Sequence, residues 1–264
     1  MNPLLGNLHP YPFEKLRQLL AQNTAAPHSD PISLSIGEPK HDTPPFIKEV
    51  LSASLDGLAA YPPTKGDAAL RETIAQWIAR RYDIPTPNPD TQILPALGSR
   101  EALFSFTQAV IDPTANAYVV CPNPFYQIYE GAAILAGAQP YYINAEAERQ
   151  FGYNWQAVPR DVWQRTRLVF VCSPGNPAGN VMTLDEWRTL FALSEEFNFV
   201  IAADECYSEI YFNDTEKPLG GLQAAQKLGR DTYKNLVCFS SLSKRSNVPG
   251  LRSGFVAGDA DIMK

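Results

Sequence analysis

Ser241-Leu242-Ser243-Lys244 stands directly after the apolar run Leu236–Ser240, which places an amine at the C-terminal end of an expected strand. In a parallel α/β sheet that edge is where ligands bind. A lysine desolvated there can be held neutral, and a neutral amine forms an imine with a carbonyl. Taken alone, Lys244 reads more readily as a solvated loop lysine; its neighbours change that. Arg252 follows eight residues later, across Pro249-Gly250. The hydroxyls of Ser241 and Ser243 and a bidentate guanidinium could together bind a phosphate, although Arg252 by itself reads as a surface arginine.

Asp204-Glu205-Cys206-Tyr207 follows the apolar run Phe199–Ala203, so a carboxylate is expected on the same edge. Such a carboxylate can pair with a protonated ring nitrogen and keep a pyridinium cationic, able to take electrons from a carbanion. Tyr207 could donate to a ring hydroxyl. The competing reading makes Asp204 a helix cap and Tyr207 a packing residue. Ser173–Asn180 follows Leu168–Cys172, and Asn176 precedes a proline, which favours an extended or turn backbone and presents its amide at the strand end; a plain Pro/Gly turn is the simpler alternative. Gly98-Ser99-Arg100 opens an expected helix, whose free N–H groups and dipole make an anion site or merely an ordinary serine cap. Pro122–Tyr126 follows Ala117–Cys121, where an aromatic could stack on a planar ligand or fill the core.

These groups need elements to hold them. The runs Ala117–Cys121, Leu168–Cys172, Phe199–Ala203, Leu236–Ser240 and Gly254–Ala257 lack polar alternation, as strands covered on both faces do. Helices are expected at Ser99–Ile111, Tyr126–Ala136, Thr183–Phe197 and Leu219–Leu228, the third opened by a Thr183/Glu186 capping box. The alternation implies an α/β fold, a mostly parallel sheet with helices on both faces. The first ninety residues are Pro-rich, with helix-like Phe13–Gln22, Phe46–Leu55 and Asp67–Tyr82. Residues 1–45 are expected to form an arm and part of a small domain, and 46–264 a large domain. Asp259–Lys264 resembles a helix start with acidic cap candidates.

The 264 residues are 45% hydrophobic with a net charge of −6, enough for one large core. No Lys/Arg run suggests nucleic acid or an anionic membrane. No apolar stretch is long enough for a bilayer span, and the first residues do not read as a secretory signal, so a cytoplasmic location is expected. Cys121, Cys172, Cys206 and Cys238 are far apart, without a CxxC pair, and read as buried free thiols. Three histidines, His9, His28 and His41, offer little for a zinc site or a His-based triad, and no metal is expected.

Five strand or helix ends thus offer a phosphate cup, a stacking ring, an amide, a carboxylate and an imine-forming lysine, which is the set pyridoxal 5′-phosphate requires. The Asn-Pro-x-Gly, Asp-x-x-Tyr and Ser-x-x-Lys…Arg signals, in that order, resemble the class I/II aminotransferases of fold type I. The resemblance implies that Lys244 holds the cofactor and that Asp204 partners the pyridine nitrogen. By the same resemblance Asn176 and Tyr207 bond the ring oxygen, Tyr126 stacks, and Ser99, the Arg100 main chain, Ser241 and Arg252 surround the phosphate, with Ser243 placed there by its hydroxyl. It also implies that Tyr61 reaches the phosphate of a second subunit in a homodimer. Gly37, with Asn176, would contact the substrate carboxylate, the substrates being an amino acid and a 2-oxo acid. Asn176-Pro177-Ala178-Gly179 departs from the usual Asn-Pro-Thr-Gly by one hydroxyl. Asn2–Pro12, Pro122–Gly131 and Ser240–Gly254 are similar to the succinyldiaminopimelate aminotransferases of lysine biosynthesis within that family. Aspartate- or alanine-type transamination is the alternative.

Family members continue past residue 264 into a small domain whose arginine grips the substrate carboxylate. A C-terminally truncated chain is therefore expected, and a cofactor-binding chain without turnover is a further alternative. Ser-x-x-Lys also marks serine acyl-transferases, with Ser241 as nucleophile, but no Lys-Thr-Gly follows.

Overall fold

The computed structural model describes residues 1–22, 32 and 34–264. In chain order the elements are α1 (Pro12–Ala21), α2 (Pro45–Ala53), α3 (Ala68–Tyr82), β1 (Ile93–Ala96), α4 (Ser99–Val110), β2 (Tyr118–Asn123), α5 (Ile128–Leu135), β3 (Gln139–Glu146), β4 (Gly152–Tyr153), α6 (Arg160–Arg165), β5 (Thr166–Cys172), α7 (Leu184–Phe197), β6 (Val200–Asp204), α8 (Gly221–Lys227), β7 (Leu236–Ser241), α9 (Leu242–Arg245) and β8 (Gly254–Gly258). The strands form one sheet in the order β1-β8-β7-β6-β5-β2-β3-β4. Neighbours from β7 through β3 are parallel, whereas β8 runs antiparallel to both β7 and β1.

Side-chain alternation divides the core into two layers. Leu168 and Phe170 of β5, Ala202 of β6, Val237 and Phe239 of β7 and Val256 of β8 pack with Leu103 of α4 and Tyr129 and Ala133 of α5. The intervening Val169, Val171, Ile201, Ala203, Leu236 and Cys238 pack with α3, α6, α7 and α8 on the other face. Each of these central strands is covered on both sides, and its apolar run is therefore unbroken. The crossovers between parallel strands pass through helices, so the C-terminal ends of β2, β5, β6 and β7 line a single edge.

The Thr183/Glu186 capping box is present in full at α7. Two elements depart from expectation. The strand at Gly254–Gly258 is reversed, so its first residues, not its last, lie on the edge where the parallel strands end. The segment at Asp259–Lys264 is a turn in which Asp259 Oδ1 accepts from Asp261 N at 2.9 Å. α1 and α2 bury none of their residues within this chain. His28 lies outside the described residues.

Trp187 of α7 is fully buried, stacked on Phe191 at 5.4 Å and set against Gly221 at the start of α8. Trp187→Ala should lower stability by roughly 3–5 kcal/mol, the cost of emptying a large aromatic site in a close-packed core. Urea unfolding followed by far-UV circular dichroism measures it.

Candidate active site

The buried carboxylate at the end of β6 organises the edge. Asp204 is 4% exposed and pairs in register with Cys172 of β5 and Phe239 of β7. It shares the parity of Ala202, so it points to the α4–α5 face. Its Oδ2 accepts from the Tyr129 hydroxyl at 2.7 Å and its Oδ1 from the Cys206 main-chain N–H at 3.2 Å. Burial pushes its carboxyl above the ordinary carboxylate range, and the donors from Cys206 and Tyr129 oppose that shift.

Around it stand the other expected residues. Tyr126, just before α5, meets Tyr129 edge to face at 6.0 Å. Burial raises the Tyr126 phenol above its usual range, and both Arg100 and Asp204 act on it. Tyr207 is likewise raised by burial, within range of Asp204, Cys206 and Tyr126. Its hydroxyl donates to the Gly37 carbonyl at 3.1 Å, which brings the Gly37 loop over the edge. The Asn176 turn is closed by Gly175 N donating to Asn180 O and Gly179 N to Gly175 O, both at 2.8 Å, and Ser173 N ties it to the Asp204 carbonyl at 3.2 Å.

β7 ends in Ser241, and α9 carries Lys244 one turn on. The Lys244 amine makes no hydrogen bond or ion pair with another described residue. Glu38, held low chiefly by Lys40, also feels the Lys244 charge, so the amine stands beside the Gly37 loop. Ser241 Oγ lies 2.8 Å from Ser243 Oγ and accepts from Ser243 N at 3.1 Å. Because β8 is reversed, Arg252 arrives at this same edge. Its Nη2 donates to Glu101 Oε2 at 2.8 Å and its Nη1 to the Pro249 carbonyl at 3.0 Å.

Arg252 lies across the N-terminus of α4. Gly98, at φ +107°, caps that helix without a side chain, and a Cβ there would come within 2.3 Å of Arg252 Nη2. A Cβ on Gly254 would come within 2.5 Å of the Ser240 carbonyl, so this glycine lets β8 lie close against β7. Gly98 keeps open a cradle formed by a helix end, a guanidinium and the Ser241–Ser243 hydroxyls, a set of donors suited to a phosphate. With an unengaged amine and a buried carboxylate beside it, the donor set fits a phosphorylated pyridine aldehyde.

Nine expected residues therefore gather on one edge: Ser99, Arg100, Tyr126, Asp204, Tyr207, Ser241, Ser243, Lys244 and Arg252. Gly37 joins through Tyr207, and Asn176 through the turn tied to Asp204. Tyr61 is fully exposed and meets none of them within the chain. Ser241 is buried and its hydroxyl engages Ser243 and the Ser253 carbonyl, an arrangement unlike an acyl-transfer nucleophile paired with Lys244. Sequence reasoning missed Tyr129, Glu101 and Cys206, whose Sγ lies 2.9 Å from Ser99 Oγ. The available signal was spacing, since Tyr129 sits three residues after Tyr126 in the helix expected over Tyr126–Ala136.

The Asp204 shift sets a direction for stability. A carboxyl raised by burial holds its proton more tightly folded than unfolded. Stability therefore falls as pH rises from the unfolded value through the folded one, and stays low above it. Asp204→Asn in the ligand-free chain should melt higher than the parent near pH 8, with the gap closing toward about pH 4. Thermal melts across that range test it.

The family model for aminotransferase class I and II matches residues 29–264. An LL-diaminopimelate aminotransferase of Dehalococcoides mccartyi is 33% identical over 263 residues, covering 98% of this chain and 65% of that protein. The crystal structure of an aminotransferase from Neisseria meningitidis superposes with a TM-score of 0.94 at 53% identity, covering 99% of this chain and 66% of the other. Aminotransferase AspB from Helicobacter pylori follows with a TM-score of 0.89 at 38% identity, over 97% and 66%. The chain thus spans just under two thirds of the length of these relatives. With that match over nearly its whole length, and with its amine, carboxylate and anion cradle on one sheet edge, the chain belongs to the class I and II aminotransferases.

Proposed function

We propose that this chain is the cofactor-binding part of a pyridoxal-phosphate-dependent aminotransferase. In this reading it exchanges an amino group between glutamate and the 6-keto precursor of N-succinyl-LL-2,6-diaminopimelate. The observation that carries the aminotransferase reading is the unengaged Lys244 amine and the buried Asp204 carboxylate at the ends of adjacent strands, beside an open anion cradle. The substrate rests on the similarity of Asn2–Pro12, Pro122–Gly131 and Ser240–Gly254 to succinyldiaminopimelate aminotransferases. The Dehalococcoides relative, an LL-diaminopimelate aminotransferase, favours a second substrate reading, unsuccinylated LL-diaminopimelate.

Pyridoxal phosphate, when bound, supplies an aldehyde and an electron-accepting ring. Lys244 would hold that aldehyde and, once displaced by an incoming amino acid, take a proton from the substrate Cα and return it on the other side of the exchange. Asp204 would keep the ring nitrogen protonated. Ser99, the Arg100 main chain, Ser241, Ser243 and Arg252 would bind the phosphate. Asn176 and Tyr207 would hold the ring oxygen, Tyr126 would cover the ring, and Gly37 and Asn176 would meet the substrate carboxylate. Tyr61, exposed in one chain, would reach the phosphate of a second copy. A cytoplasmic location accords with the absence, among the described residues, of a helix long and apolar enough to cross a membrane.

Borohydride reduction of protein incubated with pyridoxal phosphate should leave a pyridoxyl group on Lys244 in the peptide mass map. Lys244→Ala should abolish that label and lower glutamate-dependent turnover by roughly 10²–10⁴-fold, the usual worth of a positioned acid–base group. Labelling at another residue would overturn the assignment. Titration with glutamate, then with N-succinyl-LL-diaminopimelate and LL-diaminopimelate, separates the substrate readings; a cofactor band that none of them perturbs identifies a binding chain without turnover.

A further inference from the structure

Asp204 is too deeply placed to be held by solvent; the Cys206 thiol acts on its carboxylate, and two further groups donate to it at defined oxygens. One is the Cys206 main-chain N–H, on Oδ1. The other is the Tyr129 hydroxyl, on Oδ2. Its neighbour Glu205 serves the opposite layer, accepting from Tyr82 Oη at 2.6 Å and Gly221 N at 2.6 Å, and shares neither donor. Tyr129 is itself fully buried. Its ring is stacked on Phe170 at 4.5 Å and 15°, and meets Tyr126 at 84°. The hydroxyl therefore sits on a ring fixed by packing on two sides, so its direction is set before any ligand arrives.

We propose that Tyr129 is a positioning residue, whose hydroxyl fixes the Asp204 carboxylate in the orientation that meets a pyridine nitrogen. The proposal rests on the cofactor reading above. A carboxylate oxygen has two lone pairs. With one taken on each oxygen by the protein, rotation about χ2 is opposed and each oxygen keeps a lone pair for a ligand. The same contact joins two groups that the ligand would touch, since the ring that holds Asp204 also abuts Tyr126. Burial drives the Asp204 carboxyl toward its neutral form, and the Tyr129 donor opposes that drive. A core hydroxyl that merely finds a nearby acceptor would have no consequence for the ring nitrogen, and this separates the two readings.

The test compares affinities, not turnover. The ligand-free chain is titrated with pyridoxal phosphate and with its 1-deaza analogue, which carries C–H in place of the ring nitrogen. The parent should prefer the natural cofactor. Tyr129→Phe keeps both ring contacts and should cut that preference roughly tenfold, the scale of a hydrogen bond to a charged group, with affinity for the analogue unchanged. Tyr129→Leu, which also lacks the donor, should show the same loss and guards against a folding defect peculiar to one variant. In an Asp204→Asn background, Tyr129→Phe should change the ratio no further. An unchanged ratio, or an equal fall in both affinities, overturns the inference and leaves the cofactor reading standing. A parent that binds no pyridoxal phosphate overturns that reading, and the inference with it.

Discussion

A carboxylate buried at the end of a central strand is the constraint around which the edge is arranged. Removing an ion from water is expensive unless donors replace the lost hydration. Asp204 obtains them from α5, through Tyr129, and from its own chain, through Cys206. Both donors must be in place, so α5 has to pack on β5 and β6 with little tolerance, and the Tyr129–Phe170 stack provides that packing. Phe170 is thus as necessary to the site as the residues that line it.

The second half of the edge is organised around positive potential. The N-terminus of α4 and the Arg252 guanidinium lie against one another, which by itself is repulsive. Glu101 lies between them in charge terms, accepting from Arg252 one turn into the helix. Gly98 lets the two approach, since any side chain there would collide with the guanidinium. The local backbone, held at positive φ, is accepted for the sake of that approach.

Much of this was legible in the sequence, for a definite reason. Strands covered on both faces are unbroken apolar runs, and β2, β5, β6 and β7 each end in a polar cluster. Lys244, Asp204, Asn176 and Tyr126 could therefore be placed at strand ends from pattern alone. β1, β3 and β4 were not found. β1 is four residues long and contains Pro95, β3 begins with Gln139-Pro140 and buries only Ile143, and β4 is two residues long. The reversal of β8 was invisible because a five-residue apolar run carries no sign of direction. Tyr129 was hidden in a helix that is apolar apart from Glu130, where a tyrosine looks like filling.

The reversal of β8 has a mechanical side. Ser241 and Gly254 face each other across the β7–β8 ladder, and the excursion between them holds both the amine and the guanidinium. One pair of residues therefore clamps the neck of a short loop bearing both anchors. Fraying at that rung would slacken the two together, so the amine and the guanidinium are bound to lose their placement as one event.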